Sequence, residues 1–331
     1  MIKVFRLLSV LMLVGITSIM TLSAAERCRS NRPCHYELVY KGECADWIFS
    51  GEFLYQTPIS LRKRLVTDDN TGRTLLNLHD FHPGFSPGVR THLAYMEPCW
   101  GIDGGFATNE WHKSETITGP NNLDAVLGST NFFQGSLFSG SYKTIIRTYE
   151  LNMVYKFDRY LTGFFGGSVI TLKERFFMDS TNASTSHYNI ITRNGLYGLQ
   201  AGFNVEFPLP ILGCSTVDAQ FICKGGAYWN DVCLKVFFDD PIPPGSPVVG
   251  PLSYNKNHGR VSYAAEANGY LVYSPYKGFR FYSGYMFSVY NNVGLAGKQY
   301  HRSIAAFQQK HKIDFHNYYI HGLVAGGEVR F

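Results

Sequence analysis

Apolar and polar residues alternate with a period of two along most of the chain beyond residue 46, as strands with two unlike faces require. The pattern is cleanest from Leu196 to Phe207. There Tyr197, Leu199, Ala201, Phe203, Val205 and Phe207 share one face, and Gly198, Gln200, Gly202, Asn204 and Glu206 the other. Phe85–Tyr95, Trp100–Asn109, Ser215–Trp229 and Arg260–Tyr273 repeat it, as do Trp47–Gln56, Phe279–Val289 and Tyr318–Phe331. Tyr142–Lys156 alternates well from Tyr149 onward, and Leu161–Lys173 is apolar on both faces. No stretch of similar length carries a 3.6-residue period, so the chain reads as all-β with ten strands.

The connections between these strands run 28, 4, 32, 4, 22, 7, 30, 5 and 28 residues, long and short in strict alternation. The short ones carry turn residues, as in Glu97-Pro98 and Ser274-Pro275-Tyr276-Lys277-Gly278. An antiparallel up-and-down transmembrane barrel has this rhythm, with short periplasmic turns and long extracellular loops. A soluble sandwich alternates too, but its loops need not sort by length, and five connections this long are unusual in a compact soluble domain. A strand pair inside a long connection would raise the count to twelve, with Arg64–Leu78, or Val232–Phe238 and a partner, as candidates.

On this topology the outward face carries Trp, Tyr, Phe, Val, Leu, Ala and Gly, with aromatics at strand ends (Trp47 and Tyr55, Tyr197 and Phe207, Tyr263 and Tyr273) where interfacial girdles belong. Arg147 breaks the rule, and letting Tyr142–Thr148 project above the membrane accommodates it. The inward face collects Glu52, Asp103, Glu150, Glu206, Asp218, Glu266 and Glu328, with Arg90, Lys224, Arg280 and Arg330. Two readings follow: the charges pair and fill a small barrel, or they line a narrow conduit with an acidic bias.

Composition agrees with this picture. Charged residues make up 17% and aromatics 15%, which excludes a disordered chain. Mean hydropathy is −0.10, which excludes a polytopic helical membrane protein. Residues 1–25 read as a signal peptide: Lys3 and Arg6, an apolar run from Leu7 to Met20, then Ser23-Ala24-Ala25 for cleavage. An uncleaved anchor is the competing reading. Export makes disulfides possible, and seven cysteines leave at least one thiol free or paired between chains. Cys28, Cys34 and Cys44 mark residues 26–46 as a Cys-containing periplasmic segment ahead of a barrel over 47–331. Without Lys3 and Arg6 the net charge of +5 falls by two, too mild to argue for nucleic acid.

Candidate chemistry is thin. A hydrolase site on the extracellular rim would draw on Asp68, Asp69, His79, Asp80 and His82, or on Asp239, Asp240 and His258, because acid–base work needs a carboxylate beside an imidazole. His301, His311, His316 and His321 could hold a transition metal, but lack the spacing of ligand pairs. Asn182-Ala183-Ser184 fits a glycosylation acceptor, and Pro241–Pro247 stiffens its loop. The pattern points to no enzyme, cofactor or metal.

Several short segments resemble the outer-membrane β-barrel proteins that occur as large paralogous sets in planctomycetes: Phe49–Tyr55, His82–Arg90, Arg147–Tyr155, Arg280–Tyr285, Asn292–Ala296 and His321–Phe331. A looser likeness runs to the pore-forming major outer-membrane proteins of legionella and chlamydia. The resemblance spans most of residues 47–331, and the Cys-containing N-terminal segment lies outside it. It implies an outer-membrane barrel in contact with lipid, whose terminal Phe331 is recognised by the barrel-insertion machinery, and it supplies no catalytic residues. The expected role is a narrow porin-like pore for small hydrophilic solutes or a surface scaffold. The alternative is a cell-surface protein that binds a ligand through the loops Thr57–Gly84, Glu110–Ser141, Glu174–Gly195, Asn230–Gly259 and Tyr290–Asn317.

Overall fold

The computed structural model describes residues 46–59, 64–68, 74–125, 134–181, 185–209, 216–239, 252–276, 278–299 and 313–331. The expected signal peptide, the Cys-containing segment up to residue 45, the candidate glycosylation acceptor and the proline run lie outside them. Twelve strands follow one another: β1 (Asp46–Pro58), β2 (Arg64–Asp68), β3 (Thr74–Asn77), β4 (Ser86–Met96), β5 (Trp100–Ala125), β6 (Gln134–Lys156), β7 (Leu161–Thr181), β8 (Thr185–Leu209), β9 (Thr216–Asp239), β10 (Leu252–Tyr276), β11 (Phe279–Gly294) and β12 (Phe315–Arg330). Ten of them close an antiparallel ring in the order β1, β4, β5, β6, β7, β8, β9, β10, β11, β12 and back to β1. The fold is a ten-stranded up-and-down barrel of the outer-membrane type.

β2 and β3 pair with each other, and β2 with the tip of β5 at Leu123–Ala125, so the Arg64–Leu78 candidate is a hairpin hung on the rim and not part of the ring. Val232–Phe238 is no separate pair. It is the upper part of β9, laddered to β8 on one side and β10 on the other. The seam joins Ile48 to Arg330 through Pro58 to Ile320, and Trp47 and Phe331 exchange backbone hydrogen bonds of 2.9 and 3.0 Å.

Turn chemistry fixes the lower rim. The Asp158 carboxylate accepts from the Tyr160 and Leu161 backbone N–H groups at 2.7 Å each, between β6 and β7. Gly278 turns the chain into β11 at φ +86°, a conformation that disfavours any side chain.

The upper rim departs from expectation. Most of the residues expected in long loops are strand: β5 to β10 run 21–26 residues, whereas β1, β4, β11 and β12 run 11–16. One side of the barrel therefore stands as a tall wall. The reason lies in a change of phase. In β9 the outward residues Val217, Ala219, Phe221, Ala227 and Trp229 are apolar, and then Asp231 and Lys235 are not. Inward, Asp218, Gln220 and Lys224 give way to Val232, Leu234, Val236 and Phe238. β7 does the same, with Phe165 and Val169 outward below Lys173 and Arg175, and Phe176 and Met178 inward above Ser168. A strand that is apolar outside faces lipid; one that is apolar inside faces water around a core.

The lower part bears the lipid face. Leu151 (63% exposed), Met153 (65%), Leu199 (60%) and Leu271 (59%) belong to a belt of exposed apolar side chains between aromatics, far larger than a soluble surface tolerates. On β7 the belt covers Leu161–Val169, about the length a tilted strand needs to span. Arg147 stands two residues above Tyr149, clear of the belt, so its conflict disappears.

The tall wall needs filling, and it is filled from inside. Phe138, Phe176, Met178, Ile190, Val232 and Leu234 pack with Leu78 and Phe81 from the segment after β3, and with Ala296 and Ile313 from the segment after β11. Just below, Trp111, Leu172, Leu196, Val293, Leu295 and Tyr318 form a second apolar cluster. A bulge at Asn292 (φ +56°, a left-handed angle that Asn tolerates better than most) shifts the β11–β12 register, and the chain beyond it is buried from Val293 to Gly297.

Candidate functional site

The barrel interior is the place where polar side chains converge. All eleven residues expected inside have the inward parity, and the ring brings ten of them into ion pairs. Near the lower rim, Arg280 of β11 contacts Glu206 of β8 and lies 3.6 Å from Glu328, to which Arg330 Nε donates at 2.8 Å. At mid-height Arg90 reaches Glu52 of β1 at 3.4 Å and Glu266 of β10 at 2.9 Å. Lys224 of β9 donates to Glu150 of β6 at 2.6 Å and lies 3.5 Å from Glu266. β4 and β10, like β6 and β9, are not neighbours in the ring, so these pairs cross the lumen. Asp103 pairs with His92 at 3.2 Å. A Cβ at Gly105 would stand 2.8 Å from that imidazole, so glycine leaves the space the ring occupies. Asp218 makes no ion pair among the described residues.

Amides and aromatics complete the pairing. Gln200 Nε2 donates to Glu150 (3.2 Å) and Asn152 (2.9 Å), Asn268 to Glu266 (2.9 Å), and Tyr282 OH to Glu52 (3.3 Å). Asn109 donates to Gln56 Oε1 at 3.0 Å, and Trp111 Nε1 to the Gln56 carbonyl at 2.8 Å. Sequence reasoning did not select these amides, although their parity is that of the charged residues. A cavity of about 30 Å³ lies beside Arg90, Asn109, Glu150, Glu266 and Met286. That is room for about two water molecules.

Glu174, expected in a loop, is a second missed residue. It lies on β7 five residues above Val169, fully buried, and accepts from the Ala296 N–H at 2.8 Å and from Thr144 Oγ1 at 3.5 Å. Asn194 clamps the same inward segment, accepting from the Gly294 N–H at 2.7 Å and donating to its carbonyl at 2.8 Å. Burial pushes the Glu174 carboxyl up to about 7, against the lowering effect of the Ala296 and Thr144 hydrogen bonds and the nearby Tyr142 hydroxyl.

Among the described residues the two groups of hydrolase candidates do not come together as one site. His79 lies 4.0 Å from Asp80, but the His82 imidazole is taken up by the Pro58 carbonyl and by Thr57. Asp68 is in β2, Asp239 is the ladder partner of His187, and the His258 ring lies against Phe315. Asp69 and Asp240 lie outside the described residues, as do His301 and His311. His316 and His321 take opposite faces of β12, and His321 bonds the Tyr285 hydroxyl. Among the described residues no group of three or more His, Cys, Asp or Glu is placed to hold a metal, and Cys99, Cys223 and Cys233 are free thiols.

No protein-family model and no curated protein matches the chain. Solved structures similar to it include three kinds of outer-membrane barrel. The outer-membrane protease OmpT from Escherichia coli is 9% identical, with 88% of this chain and 99% of that one covered at a TM-score of 0.47. The attachment invasion locus protein Ail of Yersinia pestis is 13% identical, covering 87% and 100% at 0.26. The toluene transporter TodX of P. putida is 9% identical, covering 88% and 91% at 0.33. Likeness at this level concerns architecture, and no residue role is carried over from these proteins.

Proposed function

We propose that the chain is an outer-membrane surface protein whose barrel is a sealed anchor and scaffold, acting through the wall that β5 to β10 raise above the membrane. The lumen gives the reading its support. Two tiers of ion pairs cross it, and above them fully buried Trp111, Phe138, Phe176 and Met178 occupy its width. Each crossing pair fills the lumen with its own side chains and neutralises charges that would otherwise be buried alone. The reading is non-enzymatic, and the kinship we propose is with the planctomycete sets on sequence likeness alone. The test is conductance of the refolded chain from Glu26 onward in planar bilayers. A protected, inserted and electrically silent barrel is expected. Discrete conducting steps whose ion selectivity shifts in Glu206→Lys or Asp218→Lys would establish the porin-like conduit instead.

A further inference from the structure

Above the belt, the outward face of the tall wall is basic on one side only. Lys143, Arg147, Lys173, Arg175, Arg193 and Lys235 point outward from β6, β7, β8 and β9. At similar heights the other strands present Ser114, Asn257, Asn291 and Asn317. The register sets these cations against one another. Lys173 is the direct ladder partner of Arg193, and Lys143 of Arg175. Arg147 stands diagonal to Lys173, and Lys235 diagonal to Arg193, through their ladder partners Thr171 and Ile191. Like charges directly opposite on a sheet destabilise it, and here two such pairs meet β7 from either side, two residues apart.

Local anions answer only part of this charge. Glu110 takes Lys143 at 2.5 Å, and Arg175 is held by Asn189 at 3.2 Å and by the Phe177 ring. Asp179 is engaged with His187, and exposed Asp231 lies on the rung below Arg193 without an ion pair to it. Arg147, Lys173, Arg193 and Lys235 make no ion pair among the described residues and are exposed.

Directly below them on the same strands lie Leu151, Phe165, Tyr197 and Leu199, four of the most exposed apolar side chains of the belt. Arg147 is two residues above Tyr149 and Arg193 four above Tyr197, about 7 to 13 Å along the strand, the depth of a headgroup layer. A soluble anion would use only the upper half of this surface. An amphiphile uses both, with acyl chains on the belt and the phosphate on the cations.

We propose that this face is a binding site for anionic, phosphate-bearing lipid headgroups of the leaflet that holds the upper girdle. The proposal rests on the membrane-embedded reading above. Lipid phosphates supply the missing countercharge, and they orient the barrel about its axis by fixing one side to a charged lipid.

The test uses the refolded full mature chain in zwitterionic micelles, with a bis-phosphorylated glycolipid titrated in and bound lipid counted by native mass spectrometry. Wild type should retain this lipid, and the combined variant Arg147→Gln, Lys173→Gln, Arg193→Gln, Lys235→Gln should bind it at least about tenfold more weakly. In zwitterionic micelles alone the variant should be as stable as wild type or more so, because it loses a repulsion. That sign, reversed when the phosphorylated lipid is present, is not expected of residues that only support the fold. Equal lipid retention by the two proteins would overturn the proposal, as would full competition by inorganic phosphate, which would make the occupant a soluble anion. Quenching of tryptophan emission by brominated acyl chains reports embedding separately. Quenching in both proteins with equal lipid retention sinks only the headgroup site, whereas no quenching in either sinks the embedded reading too.

Discussion

Arg90 holds the carboxylate of its ladder partner Glu52 and, across the lumen, that of Glu266, and its side chain is only 7% exposed. Arg90→Ala leaves Glu52 and Glu266 buried with one guanidinium fewer between them, so about 3–5 kcal/mol of stability should be lost. Urea unfolding in detergent micelles measures it. Asp218→Asn, which breaks no ion pair among the described residues, should stay within about 0.5 kcal/mol in the same assay. Glu174 acts through pH. Its carboxyl titrates near 7 in the fold against an ordinary 4.5, so below 4.5 it is neutral in both states and costs nothing. As pH rises from 4.5 to 7 the unfolded chain ionises while the folded one resists, and stability falls. The melting temperature of wild type should therefore drop across this window relative to Glu174→Gln. A constant difference between the two at pH 4.5 and 7.5 would show that Glu174 does not titrate in this way.

The strand is the element at which the molecule changes solvent. Where the outward face goes from Trp229 to Asp231 and Lys235, the inward face goes from Lys224 to Val232 and Leu234, and the backbone ladder continues without a break. Such a phase change imitates the end of a strand. That is why alternation made the membrane-spanning segments and tight lower turns legible, yet presented Val232–Phe238 as a separate strand and Glu174 as loop. The inward turn of Gly294–Gly297 was not legible either, since it depends on contacts with Asn194 and Glu174 a hundred or more residues away. Two outcomes test the upper core. Phe176→Ala removes a fully buried ring that meets Phe81 edge-on at 5.7 Å and should cost about 3–5 kcal/mol in the urea assay. Deleting residues 64–77 removes a hairpin whose ladder to the ring, among the described residues, lies at the tip of β5, and the barrel should still run as a heat-modifiable band on electrophoresis.

At the scale of the whole molecule, nine of the ten ladders in the ring join strands that are neighbours in sequence or separated only by the rim hairpin. The tenth, between β1 and β12, pairs Ile48 with Arg330. Closing a loop of that length costs entropy that no local contact repays beforehand, so this ladder is expected to form last. Gly322 sits in it, and a Cβ there would meet the Tyr55 carbonyl at 2.2 Å. Gly322→Val should therefore slow the rate of barrel formation in a stopped-flow refolding experiment much more than Gly269→Val, a position with open space around it on β10. Until the seam shuts, the chain is an open sheet with two bare edges, each able to accept a strand from another molecule. Kinetic vulnerability to mispairing, and any help the cell gives to folding, would both concentrate on those two edges.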